Sequence, residues 1–228
     1  MTFVNNFFFE IYPYIAISVF FVVALARFNY AQYGWTSDSS QMLSTKSMVV
    51  ASNLFHVGIL LLLMGHFVGL LTPESIYTKV ISVHQKQMLA MIAGGIFGGI
   101  CFIGITMLVF RRLFNPRVRA TSSKMDIIIL LLIYIQLISG LYTIHVSYQH
   151  SSGVEMEALA YWVQHIVTFR AAGAAHFLTA VPLIYKYHII CGFTIILVFP
   201  FTRLVHIISA PIMYLHRTGF QIVRRRNT

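Results

Sequence analysis

Residues 53–71, NLFHVGILLLLMGHFVGLL, decide the fold. They form an apolar run of the length that crosses a bilayer, which takes about 20 mostly apolar residues, and they carry His56 and His66 inside it. Imidazole at membrane depth is costly unless it faces a bundle interior or binds something, so each is a functional candidate. At 1.5 Å rise per residue the two lie about 15 Å apart along a helix axis and roughly 80° apart around it. They serve two depths rather than one point.

The surrounding composition agrees. The chain has 228 residues, is 58% hydrophobic and only 10% charged, with a mean hydropathy of +0.78. Soluble domains are less apolar and carry more charge. An all-α integral membrane bundle follows: one domain over 1–228, with spans expected at 3–25, 48–71, 88–110, 125–146 and 181–208. The run 3–25 holds Glu10 and no leading basic residue, so it reads as a spanning helix and not a cleaved signal. Gly94, Gly95, Gly98, Gly99 and Gly104 on the third span suit close helix packing. Connector 147–180 is polar and partly amphipathic. Cys101 and Cys191 sit in apolar runs as small hydrophobes, with no CxxC or disulfide pattern.

Charge sets the orientation. The formal net charge of +10 reports membrane topology rather than a nucleic-acid partner. Of the sixteen Lys and Arg, twelve fall on one side: Arg27, Lys46, the five within 111–124, Arg203, Arg217, Arg224, Arg225 and Arg226. Lys79, Lys86, Arg170 and Lys186 fall on the other. Cytoplasmic loops carry the excess, so the N-terminus is expected outside and the C-terminus in the cytoplasm, which an odd number of spans satisfies.

The fifth span carries His188 early and His206 late, eighteen residues or five helical turns apart, so both are expected on one helix face. With the second and fifth spans antiparallel, His66 meets His188 on the outer side and His56 meets His206 on the inner side. Paired imidazoles on facing helices suit the axial positions of b-type haem iron. Hydrogen-bonded packing between helices is the alternative, and zinc is less apt, since no Cys or carboxylate lies beside them to complete a tetrahedron. The spacings conflict: about 15 Å of rise on one helix against about 27 Å on the other, so straight parallel helices with level haems are excluded and tilt must absorb the difference. Gly58, Gly65, Gly69 and Gly192 beside these histidines serve either helix packing or room for a flat macrocycle. Arg27, Arg111, Arg112 and Arg203 are candidates for haem propionates or are plain inner-side charges. Lys86 heads the third span, either reaching a quinol oxygen or propionate, or snorkelling to water. His84, His145, His150, His165, His176 and His216 fall in connectors or near span ends and are expected to be solvated or capping.

The segments FFFEIYPYIA, SSQML, ASNLFHVGIL, MGHFVGLLTP, LFNPRVRAT and VFPFTRLVH together resemble the gamma subunit of respiratory nitrate reductase, a di-haem cytochrome b, over nearly the whole chain. The resemblance implies that His66 and His188 ligate a distal haem near the outer face, and His56 and His206 a proximal haem near the cytoplasm. It further implies a quinol pocket beside the distal haem with Lys86 and Gly65, and electron flow from quinol to a cytoplasmic iron-sulfur subunit and a molybdenum catalytic subunit that reduces nitrate. The location implied is the bacterial inner membrane. An anchor for another quinone-linked dehydrogenase, or a cofactor-free anchor or transporter, are the rival readings.

Overall fold

The computed structural model describes residues 2–30, 47–149 and 153–208, and all regular structure among them is helical. Five helices are long and apolar enough to span a membrane: Phe3–Tyr30, Met48–Leu71, Val83–Phe114, Lys124–Gln149 and Leu183–Phe201, hereafter the first to fifth spans. The loop with SSQML and Lys46, together with His150, His216, Arg217 and the arginines of the tail, lies outside the described residues.

The span ends follow local chemistry. The third span begins at Val83, five residues before hydropathy alone places it, because Ser82 and Gln85 form a reciprocal cap. Ser82 Oγ accepts from the Gln85 amide at 3.2 Å, and Gln85 Oε1 accepts from the Ser82 amide at 2.8 Å. A polar first turn satisfies helix-end donors that the apolar window does not register. Ser123 and Asp126 exchange the same two bonds, at 3.2 and 3.0 Å, where the fourth span starts. The second span ends at Pro73, which cannot continue its hydrogen-bond ladder, and Thr72 Oγ1 caps the Val68 carbonyl at 2.7 Å.

The second span lies along the third, the third along the fourth, the fourth along the fifth, and the fifth along the first. Glycine sets the closest of these approaches. A Cβ on Gly58 would stand 2.6 to 2.8 Å from Cys101 atoms, and one on Gly104 would stand 2.9 Å from the Ala51 carbonyl and Phe55 Cα. Gly98 faces Leu141 just as tightly, at 2.7 Å. Gly95 and Gly99 meet nothing within 4 Å, so only part of the expected packing stripe is used for packing. A buried cluster of Cys101, Ile105, Val109 and Leu137 fills the seam of the second, third and fourth spans.

The connector is more ordered than its polarity indicates. It forms a helix, Val154–Val167, and a 3-10 turn, Ala174–Leu178. Trp162 and Ile166 are buried with Phe9, Leu178, Val181 and Tyr185 in a second cluster. The first span meets it through a π-helical turn, Phe7–Ile11. There the Phe9 carbonyl accepts Trp162 Nε1 at 2.9 Å, and Glu10 Oε1 accepts the Ala175 amide at 3.1 Å.

The fifth span corrects one expectation. Its α-helix ends at Val198, and the chain continues through Phe199–Phe201, an extended Thr202 and a 3-10 turn, Arg203–Ile207. Pro200 lacks the amide that would carry the ladder onward. His206 therefore stands on a separate turn and not on a shared helix face with His188. The five-turn spacing and its 27 Å no longer describe their relation.

Candidate functional site

His66 and His188 come together from spans that are not packed side by side: their ring centres lie 6.2 Å apart with planes inclined by 28°. His66 Nδ1 lies 2.8 Å from the Leu62 carbonyl, His56 Nδ1 lies 2.7 Å from that of Ser52, and His206 Nδ1 lies 2.6 Å from that of Arg203. A carbonyl only accepts, so in each neutral ring Nδ1 carries the proton and Nε2 carries the lone pair. That tautomer is the one metal-ligating histidines hold when the second ring nitrogen donates to backbone.

His188 is supported differently. Its Nδ1 lies 2.9 Å from Ser139 Oγ, which itself donates to the Gln136 carbonyl at 2.8 Å. The hydroxyl proton is thereby used, so Nδ1 is again the donor and Nε2 the lone-pair nitrogen. Gln136 Nε2 meets that Nε2 at 3.2 Å and the His188 carbonyl at 3.1 Å. Gly140 makes the space, since a Cβ there would stand 2.9 Å from His188 Cε1. Gln136 and Ser139 were not singled out in the sequence. A Gln and a Ser three residues apart within the apolar run of the fourth span were the available signal.

His66 and His188 have dimensions that can be set against those of haem iron. A metal–imidazole bond of about 2.0 Å, with the ring centre about 1 Å behind the nitrogen, puts two axial ring centres roughly 6 Å apart, the spacing His66 and His188 have. Iron at His188 Nε2 requires the Gln136 amide to withdraw to the carbonyl it already reaches. Positions 65 and 69 beside His66 offer open flanks, with nothing within 4 Å of an added Cβ, whereas Gly58 is used in packing and Gly192 abuts Gln136 at 3.2 Å. Among the described residues no group of three or more His, Cys, Asp or Glu converges as a metal site. At His66 and His188 the donor set is paired imidazole, which suits a macrocycle-bound iron needing only two further ligands.

Lys86 is not snorkelling: it is buried, 7% exposed, and its Nζ lies 3.6 Å over the Tyr77 ring centre. Burial, then Glu157 and Glu74, raises the Tyr77 phenol above its ordinary value. Tyr161 donates to Glu74 Oε2, and mainly for that reason its pKa rises to about 12. Gln164 Nε2 donates to the Leu70 carbonyl at 3.0 Å, which fastens the connector helix to the end of the second span.

At the opposite, arginine-rich end Asp126 collects two guanidinium groups. Arg203 binds it through Nε at 2.7 Å and Nη2 at 2.6 Å, and Arg112 Nη1 lies at 3.7 Å while donating to Ser122 Oγ at 2.8 Å. Arg27 donates to the carbonyls of Pro200 and, at 3.3 Å, Thr202. Of the remaining histidines, His84, His145 and His176 are exposed, and His165 Nδ1 lies 2.8 Å from the Tyr161 carbonyl.

A family model described as nitrate reductase gamma subunit matches residues 5–226. The respiratory nitrate reductase 1 gamma chain of Escherichia coli is 50% identical over 227 residues, covering all of both chains. The respiratory nitrate reductase 2 gamma chain of the same organism is 49% identical over 98% of each chain. The nitrate reductase gamma chain of Bacillus subtilis is 36% identical over 95% of this chain and 96% of its own.

Proposed function

This chain belongs to the nitrate reductase gamma subunit family, and from that premise we propose that it is the di-haem cytochrome b anchor of a membrane-bound nitrate reductase. In this reading it oxidises quinol at the outer face and passes electrons inward to a cytoplasmic iron-sulfur subunit, which feeds a molybdenum subunit that reduces nitrate. The observation that carries the reading is the approach of His66 and His188 at 6.2 Å across two spans.

Haem, when bound, supplies the one-electron chemistry, with its potential set by axial ligands and surroundings. The chain's residues supply position. His66 and His188 hold the distal site and His56 and His206 the proximal one. Ser139 sets the His188 tautomer. Lys86, kept at its depth by the Tyr77 ring, donates a hydrogen bond to a quinol oxygen, and the open flank of Gly65 admits the quinol ring beside His66. At the other end Arg112 and Arg203 bring two positive charges to one carboxylate, and the surplus attracts a haem propionate to Arg112. The exposed Arg117 and Arg119 of the turn Pro116–Ala120 lie on the face that docks the cytoplasmic partners.

The test is a reduced-minus-oxidised spectrum of the purified complex with quinol as reductant. A b-type haem signal is expected, and His66→Ala or His188→Ala should each remove the distal haem and quinol oxidation. A colourless subunit, or full quinol-dependent activity in either variant, overturns the proposal.

A further inference from the structure

Three of the four histidines sit on long helices whose ladders fix the direction of the side chain. His206 does not. It occupies a five-residue 3-10 turn, Arg203–Ile207, beyond a break at Pro200. Short 3-10 turns have poorer hydrogen-bond geometry than an α-helix and do not set an orientation alone. Within the turn, Thr202 Oγ1 accepts the Leu204 amide at 3.2 Å and Val205 is fully buried. Further support comes from other spans. Arg27 at the end of the first span holds the carbonyls of Pro200 and Thr202. Asp126 in the first turn of the fourth span takes Arg203 in a two-point fork, Oδ1 to Nε at 2.7 Å and Oδ2 to Nη2 at 2.6 Å. The carbonyl of that same Arg203 accepts His206 Nδ1 at 2.6 Å.

A continuous line of contacts thus runs from the fourth span to the imidazole, and the geometry points to Asp126 as the positioning residue for His206. The inference rests on His206 being an axial ligand as proposed above. Fork-to-fork pairing of a carboxylate with arginine fixes direction as well as distance, and the pair is nearly closed off from solvent, at 16% and 11% side-chain exposure. Removing the carboxylate charge breaks the fork and leaves Arg203 and Arg112 as like charges around one site. The turn then rotates, carrying the Arg203 carbonyl and with it the plane of the His206 ring. The ordinary explanation for an acid at this position is its reciprocal cap with Ser123. A cap accounts for one oxygen and the helix start; it gives no reason for the second oxygen to reach a different span.

The test compares Asp126→Asn with Ser123→Ala in the assembled complex. The readouts are haem content and the low-spin ferric resonance of each haem, whose position reports the relative orientation of the axial rings. Asp126→Asn is expected to shift or abolish the proximal resonance and leave the distal one in place. Ser123→Ala, which removes the serine half of the cap, the Asp126 amide's bond to Ser123 Oγ, and keeps the fork, is expected to leave both unchanged. An unmoved proximal resonance in Asp126→Asn, or an equal shift in Ser123→Ala, overturns the assignment. Should Asp126→Asn not accumulate, Arg203→Lys keeps the charge but loses the fork, and it must move the proximal resonance likewise; no movement there is also a refutation. His206→Ala keeps the two ideas separate: both haems surviving in it would refute His206 as a ligand, whatever Asp126 does.

Discussion

Gly140 shows how much of this site is held by a missing side chain. Its neighbour is the His188 ring, with Cε1 2.9 Å from where a Cβ would stand, and the ring has Ser139 on one nitrogen and Gln136 on the other. The imidazole has no slack on that side. Gly140→Ala should therefore cost about 1–3 kcal/mol of overpacking and turn His188 away from His66. The expected result in purified complex is loss or spectral shift of the distal haem with the proximal haem retained, measured by haem content and redox titration. Normal distal haem in this variant would mean that the space beside Gly140 is not used. The sequence pointed to glycines adjacent to histidines on their own helices, Gly65, Gly69 and Gly192. It could not indicate Gly140, because that contact depends on the register between the fourth and fifth spans, which hydropathy leaves unspecified.

Between elements, the seam of the second and third spans is the tightest joint, and it distinguishes glycines that look alike in sequence. Lipid tails are as apolar as the side chains, so helix pairing in a bilayer relies on close packing more than on a hydrophobic drive. Gly104 puts the backbones of both spans in contact, since a Cβ there would meet the Ala51 carbonyl and Phe55 Cα at 2.9 Å, whereas Gly99 faces open space. Backbone cannot swing aside as a flexible side chain can. Gly104→Ala should lower the thermal unfolding temperature in detergent by the equivalent of roughly 1–3 kcal/mol, and Gly99→Ala should leave it unchanged or raise it slightly. Similar melting curves for the two would show that the seam relaxes freely. The fifth span makes the complementary point about what was legible. VFPFTRLVH remains apolar enough for a hydropathy window to run to 208, but the Pro200 within it ends the helix. The break was readable from proline chemistry, and it withdraws the figure of about 27 Å that a continuous helix implies.

For the molecule as a whole, hydropathy gave the five spans and charge an expected direction, because each is a property summed over many residues and insensitive to register. The approach of His66 and His188 was legible for the same reason, since it needed only which helices run antiparallel. The connector was legible only as partly amphipathic: its helix is held by a buried cluster with Phe9, Leu178, Val181 and Tyr185 and by single bonds from Trp162 to the Phe9 carbonyl and from Gln164 to the Leu70 carbonyl, and contacts between distant segments leave no periodic trace. The direction itself can be tested. Arg27, Arg111, Arg112, Arg117, Arg119, Lys124 and Arg203 gather where the first, third and fifth spans end and the fourth begins, while Lys79, Lys86, Arg170 and Lys186 belong to the other end. The charge bias then places Lys79 and Arg170 outside. Both residues are exposed, and the native thiols of Cys101 and Cys191 are buried, so they add little background labelling. Lys79→Cys and Arg170→Cys should each react with a membrane-impermeant maleimide in intact spheroplasts without prior lysis. Labelling that appears only after the membrane is breached would invert the topology, and with it the side on which the proposed quinol oxidation releases its protons.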